Sequence, residues 1–158
     1  MIRTSSILPA MAVLAALMPA AASAQGGLQW VNRDGEEGPI LAYEVPNSSD
    51  QLLYLGCDKT GSARLSAQFD VKGLGPDKPV TLTFSGGGKS VDVKAKTETD
   101  EMFPYAYPVA ASFDPRPLLA LLGAPGEVVA RAHKGTAKFT DRGRAKAVQA
   151  FGAKCPSR

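Results

Sequence analysis

The chain has one histidine, one tryptophan and two cysteines in 158 residues. A single histidine excludes metal sites built from several imidazoles and makes any Ser-His-Asp machinery depend on His133 alone. Cys57 and Cys155 have no CxxC spacing, which excludes zinc ribbons and dithiol redox motifs, and no G-x-S-x-G elbow occurs. Charge of one sign is also scarce: a net +3 is too small to imply a polyanion partner. Aromatics interleaved with the basic residues for base stacking are absent, so no nucleic-acid partner is expected. Long apolar runs are missing too. The stretch from Ile7 to Met18, interrupted by Pro9 and stopped by Pro19, falls short of the roughly 18 to 20 residues that cross a bilayer.

That stretch does have the length of a secretory h-region. Arg3 supplies the positive start, and Ala22-Ser23-Ala24 puts small residues where signal peptidase inspects the chain, predicting cleavage between Ala24 and Gln25. No cysteine follows the cut to carry a lipid, and no Arg-Arg pair precedes it. Residues 1–24 are therefore expected to be a signal peptide, and residues 25–158 one domain that is periplasmic or secreted, without a transmembrane anchor after cleavage. The 134 residues left of 158 suffice for one hydrophobic core.

Export makes oxidation the expected state of an even cysteine count. Leu53, Leu55 and Cys57 alternate on one face of a strand, while Val148, Phe151 and Cys155 share a stripe of a C-terminal helix, so both thiols are directed at the core. A disulfide between them stabilises the fold by roughly 4 to 5 kcal/mol in the chain-entropy model.

Short alternating segments dominate what remains. Strands are predicted at 28–32, 40–45, 52–58, 63–69, 80–84 and 90–96, separated by turn chemistry such as Asp34-Gly35, Lys59-Thr60-Gly61 and Gly86-Gly87-Gly88. Leu65, Ala67 and Phe69 oppose Arg64, Ser66 and Gln68, and Val80, Leu82 and Phe84 oppose Thr81 and Thr83, giving one dry and one wet face as in antiparallel sheets. Residues 103–113 have period two with Pro104 and Pro108 on the other parity, which predicts an edge strand. Asp114 followed by Pro115 and Pro117 predicts a short capped helix ending at Gly123. A hairpin is expected around Lys134-Gly135, then a helix from Arg142 to Lys154 capped by Asp141. The expected fold is mainly β, an antiparallel β-sandwich or curved sheet with a short helix and a C-terminal helix packed on it.

Candidate sites are few. Gly86-Gly87-Gly88-Lys89-Ser90 suggests a phosphate loop, but the position five residues before Gly88 is Thr83 and a strand follows, so a hairpin turn is expected. His133 falls beside a turn next to Arg131, the wrong neighbour for a general base, and is read as a surface residue. The acidic runs Asp34-Gly35-Glu36-Glu37 and Glu98-Thr99-Asp100-Glu101 lack calcium-loop spacing. No metal site or cofactor is expected. The better lead is the C-terminal third. Residues 131–158 carry eight cations against Asp141 alone, a net of +7, while residues 25–130 carry −5. Arg131, Lys134, Lys138, Arg142, Arg144 and Lys146 are expected to form a basic face for an envelope protein or an anionic envelope component, since cations early in a helix oppose its dipole and need another reason.

Trp30, Leu41, Tyr43, Val45-Pro46, Asp50, Leu53, Leu55 and Cys57, with the closing stretch Arg144 to Cys155, resemble a group of small exported bacterial proteins of unknown function. The resemblance implies a fold with one disulfide rather than an activity. The late strand, glycine turn, strand and final helix also resemble the invasion-associated locus B family of periplasmic proteins. Cys57-Asp58-x-x-Gly61 is similar to a strand-borne motif of the periplasmic C-type lysozyme inhibitors, whose Ser-Gly…Tyr loop has no counterpart here because more glycines and Lys89 follow Ser85-Gly86. The functional expectation is a non-enzymatic, envelope-associated binding protein; the alternatives are an inhibitor of a secreted hydrolase such as lysozyme, and a hydrolase using His133.

Overall fold

The computed structural model describes residues 27–156. The expected signal peptide and its cleavage site lie outside the described residues. Nine strands form one antiparallel sheet: β1 Gln29–Asp34, β2 Pro39–Glu44, β3 Gln51–Cys57, β4 Ala63–Ala67, β5 Pro79–Gly86, β6 Lys89–Glu98, β7 Tyr107–Phe113, β8 Val128–Ala132 and β9 Gly135–Phe139, with α1 Arg116–Gly123 and α2 Arg144–Lys154. The strand order is β1-β2-β3-β4-β7-β6-β5-β8-β9, a curled half-barrel. The mainly β fold with a closing helix is as the alternation predicted.

Period two decides which face is dry. Leu53, Leu55 and Cys57 from β3, Leu65 and Ala67 from β4 and Leu82 and Phe84 from β5 are all buried in one core. α2 adds Ala147, Val148 and Phe151, and α1 adds Leu118, Leu121 and Leu122. Curling brings the two ends of the sheet together. Trp30 of β1 stacks near Tyr43 of β2 and Phe139 of β9, with centroids 4.9 and 5.9 Å away, and its indole N–H donates to the Thr140 carbonyl at 2.8 Å. Cys57 and Cys155 form the disulfide, with Cα atoms 5.6 Å apart, so the end of α2 is bonded to the end of β3.

Four local expectations are corrected. β7 is an interior strand between β4 and β6, not an edge. Pro104 lies outside it, and Pro108 stands opposite Thr97 of β6, one residue past the last β4 pair, Ser66 with Val109, where no β4 donor is required. The β8–β9 turn is His133-Lys134, with Ala132 paired to Gly135. Gly135 is a glycine for closeness: a side chain there would run into the Asp70 carbonyl and the Phe69 ring. Helix α1 is preceded by Pro115 without a side-chain cap and keeps Gly123 as its last residue; Asp114 instead accepts the Arg116 backbone N–H at 3.0 Å. Helix α2 starts at Arg144 behind Gly143 in the left-handed region, φ +78°, and Asp141 contributes its carbonyl rather than its carboxylate, accepting the Arg144 N–H at 3.1 Å.

Candidate functional site

The antiparallel order places the β1–β2 and β3–β4 turns at one end of the sheet and the β8–β9 turn at the other. At the first end, the acidic turn Asp34-Gly35-Glu36-Glu37-Gly38 folds back on itself, the Gly35 N–H donating to the Gly38 carbonyl at 2.8 Å. It lies against the end of β3, because a side chain at Gly38 would collide with the Cys57 carbonyl. The facing turn is fixed by Asp58, whose Oδ1 accepts from the Thr60 N–H at 2.8 Å, the Thr60 hydroxyl at 2.7 Å and the Ser62 N–H at 3.0 Å. A third wall comes from a bulge in β7. Ala63 pairs with Phe113 but Leu65 with Ala110, so β7 holds one residue too many, and Ser112 takes φ +56° there. The Ser62 hydroxyl donates to Ser112 Oγ at 3.0 Å.

These three walls enclose a groove of about 480 Å³ lined by Glu36, Glu37, Tyr54, Thr60, Ser62, Arg64 and Ser112 among others. Its floor is unusual. Tyr54 and Gly56 are outward residues two apart on β3, and the Tyr54 ring occupies the space a side chain on Gly56 would fill. The hairpin separates this groove from a second depression of about 400 Å³ lined by Asp34, Lys59 and Lys154. Lys154 pairs with Asp34 at 2.6 Å, which fastens the acidic turn to the last turn of α2. Arg64 pairs with Glu98 at 3.5 Å.

The other acidic run is accounted for by structure. Asp100 accepts from the Met102 N–H at 2.7 Å, the Phe103 N–H at 3.1 Å and the Tyr107 hydroxyl at 2.9 Å. Burial first, then the hydrogen bond and charge of Asp100, push the Tyr107 phenol up to about 12. The two acidic runs lie at opposite ends of the sheet and do not converge on one site. Among the described residues no group of three His, Cys, Asp or Glu side chains is placed to hold a metal ion.

His133 stands exposed on its turn at φ +48°, across the sheet from the groove. The basic residues are spread out. Arg131 and Lys138 are exposed on β8 and β9, with Lys138 paired to Glu127 at 3.3 Å. Lys134 and Arg142 flank β9 at opposite ends, and Lys146 is exposed on α2. Arg144 does not belong to that face. It is 1% exposed, and its guanidinium donates to the carbonyls of Leu122, Ala124 and Gly126 at 2.7, 2.6 and 2.6 Å and of Thr140 and Phe139 at 3.3 and 3.4 Å. Burial pulls its pKa down against the opposing charge of Asp141. Arginine stays protonated regardless, so the cation early in α2 serves to close the C-terminal end of α1 onto β9.

The sequence reading singled out Glu36 and Glu37 but missed Tyr54, Ser62 and Ser112. An aromatic residue two before a glycine on one strand face is a readable signal for the Tyr54 floor. Nothing in the sequence marks a serine that will adopt positive φ. Comparison with protein families, curated proteins and solved structures finds no match to this chain.

Proposed function

We propose that the chain is an exported, non-enzymatic binding protein of the cell envelope. The observation that carries this reading is the groove beside the disulfide: its walls are locked by Cys57, Asp58 and the Ser62–Ser112 pair, while the sole histidine lies at the far end of the sheet. A pre-organised concave surface lowers the entropic cost of holding a partner. The expected disulfide and the small domain fit an oxidising compartment. Arg131, Lys134, Lys138, Arg142 and Lys146 remain as exposed cations for an acidic envelope protein or an anionic envelope component, with Arg144 removed from that set. Capture from an envelope extract by the oxidised chain tests the reading: a partner is recovered, and reversing the charge of Arg142 and Lys146 weakens capture if the basic residues make the contact. Recovery of no partner by the unaltered chain overturns the proposal. N-terminal sequencing of the protein from the envelope fraction is expected to begin at Gln25.

A second reading, inhibition of a secreted hydrolase, is favoured by the segment before β7. Asp100 holds its backbone, Phe103 stacks with Tyr105 and Tyr107 at centroid distances of 5.5 and 5.6 Å, and Met102 projects with 64% of its surface exposed. A rigid apolar projection is the form an inhibitor presents to a cleft. Inhibition of lysozyme or a secreted protease by the native chain, lost in Met102→Asp, is the expected result; unimpaired hydrolase activity at saturating chain removes this reading.

A further inference from the structure

We infer that the groove between the β1–β2 and β3–β4 turns is a binding site for an electrically neutral saccharide. The inference rests on the reading of the chain as a binding protein and names its ligand class. Three features select that class. The first is size: about 480 Å³ lies within the roughly 300 to 1,000 Å³ of small-ligand sites. The second is the kind of polar group. The Thr60 and Ser62 hydroxyl protons are held by Asp58 and Ser112, so these two oxygens, with Glu36 and Glu37, present acceptors while the Ser112 hydroxyl keeps its proton to donate, and the matching ligand is rich in O–H donors that also accept. Sugar hydroxyls are of this kind.

The third is the Tyr54 ring, half-exposed and laid over Gly56. A flat ring on a surface without a competing side chain is a platform for the C–H face of a pyranose, and aromatic contacts of this type add to polar recognition. Charge narrows the class further. Glu36 and Glu37 stand exposed on the groove, and among the described residues the one cation on its wall, Arg64, is paired to Glu98. Carboxylated or phosphorylated saccharides therefore meet net negative charge and are disfavoured. The bulge at Ser112 gains a purpose, since positive φ there swings its hydroxyl toward Ser62 at the groove rim.

The experiment is a titration of the oxidised, isotope-labelled full chain with neutral trisaccharides of hexose and N-acetylhexosamine units in α and β linkage, and with trigalacturonic acid as the anionic counterpart. Amide signals of Gly35, Gly38, Gly56 and Thr60 are expected to shift and saturate with at least one neutral trisaccharide and to stay still with trigalacturonate. Tyr54→Ala is expected to weaken that binding by roughly tenfold, Tyr54→Phe to retain most of it, and Lys134→Ala, at the other end of the sheet, to leave it unchanged. Absence of shifts with every neutral trisaccharide, shifts indifferent to Tyr54→Ala, or preference for trigalacturonate overturns the inference. The two readings fail separately. An envelope partner captured by a chain that shows no saccharide shift removes the saccharide site alone; a chain that captures no partner and shows no shift removes both.

Discussion

Arg144 is the most deeply buried charged side chain among the described residues. Five main-chain carbonyls from two segments converge on one guanidinium, with no carboxylate among its hydrogen-bond acceptors. Replacing it by Met is expected to destabilise the fold by about 3 kcal/mol, read by urea unfolding, because the buried Leu122 and Phe139 carbonyls lose their donor and the part-buried carbonyls of Ala124, Gly126 and Thr140 lose theirs. Lysine is expected to rescue little, since a point ammonium with three donors cannot span a fork of five. Tyr107 offers a second measurement. Its folded phenol titrates at about 12 against 10.0 for an unperturbed one, so its contribution to stability is complete below pH 10 and lost as pH rises toward 12. Tyr107→Phe is expected to be less stable than the parent at neutral pH through loss of the Asp100 bond, by roughly 1 kcal/mol, and to show a shallower fall in stability across that alkaline window. Equal slopes for the two proteins would remove this account. Burial, then the charges of Asp70 and Asp100, raise the Tyr105 phenol too, so some alkaline slope remains in the variant.

At the scale of elements, the turns do as much as the strands. Gly135→Ala is expected to cost about 1 to 3 kcal/mol, measured by thermal or urea unfolding, because the added methyl displaces the Asp70 carbonyl and the Phe69 ring. Gly87→Ala, at φ +57° but with nothing within 4 Å of the added methyl, is expected to cost only about 1 kcal/mol of backbone strain. The difference separates a glycine chosen for closeness from one chosen for conformation. Much of the sheet was legible because alternation is a local property: Leu65, Ala67 and Phe69 fall on the dry side as their spacing requires. The interior position of β7 was not, because whether a proline lacks a needed donor depends on where the neighbouring strand ends, which is settled at Ser66 and Val109. The fate of Arg144 was hidden for the same reason: its spacing from Arg142 and Lys146 reads as a solvated helix face, and only the approach of α1 turns it inward. Of the groove, the acidic turn was visible and the bulge was not, since Ser112 differs from its strand neighbours by a backbone rotation that no residue type there announces.

At the scale of the whole molecule, the half-barrel is drawn together by side chains rather than by pairing of its outer strands. β1 and β9 are not neighbours in the sheet, yet Trp30 reaches Phe139 and Thr140 across the opening and α2 packs on β1 and β2. Trp30 fluorescence is thus a reporter of closure, and its denaturant transition is expected to coincide with the loss of far-UV ellipticity. A separate, earlier Trp30 transition would show that the opening frays on its own. Removing the bond between Cys57 and Cys155 by a double alanine replacement is expected to lower stability by up to about 4 to 5 kcal/mol and to leave the strand content intact below the new midpoint.

The same bond also has a place in time. Cys57 must wait for a partner 98 residues behind it, so while a chain emerges from its N-terminal side the first thiol has no native partner until every later strand and both helices have arrived. The native bond therefore cannot form before the last helix has emerged. A chain interrupted between Cys57 and Cys155 has a thiol without its native partner, so a thiol label applied to newly made protein distinguishes those unfinished molecules from finished, oxidised ones.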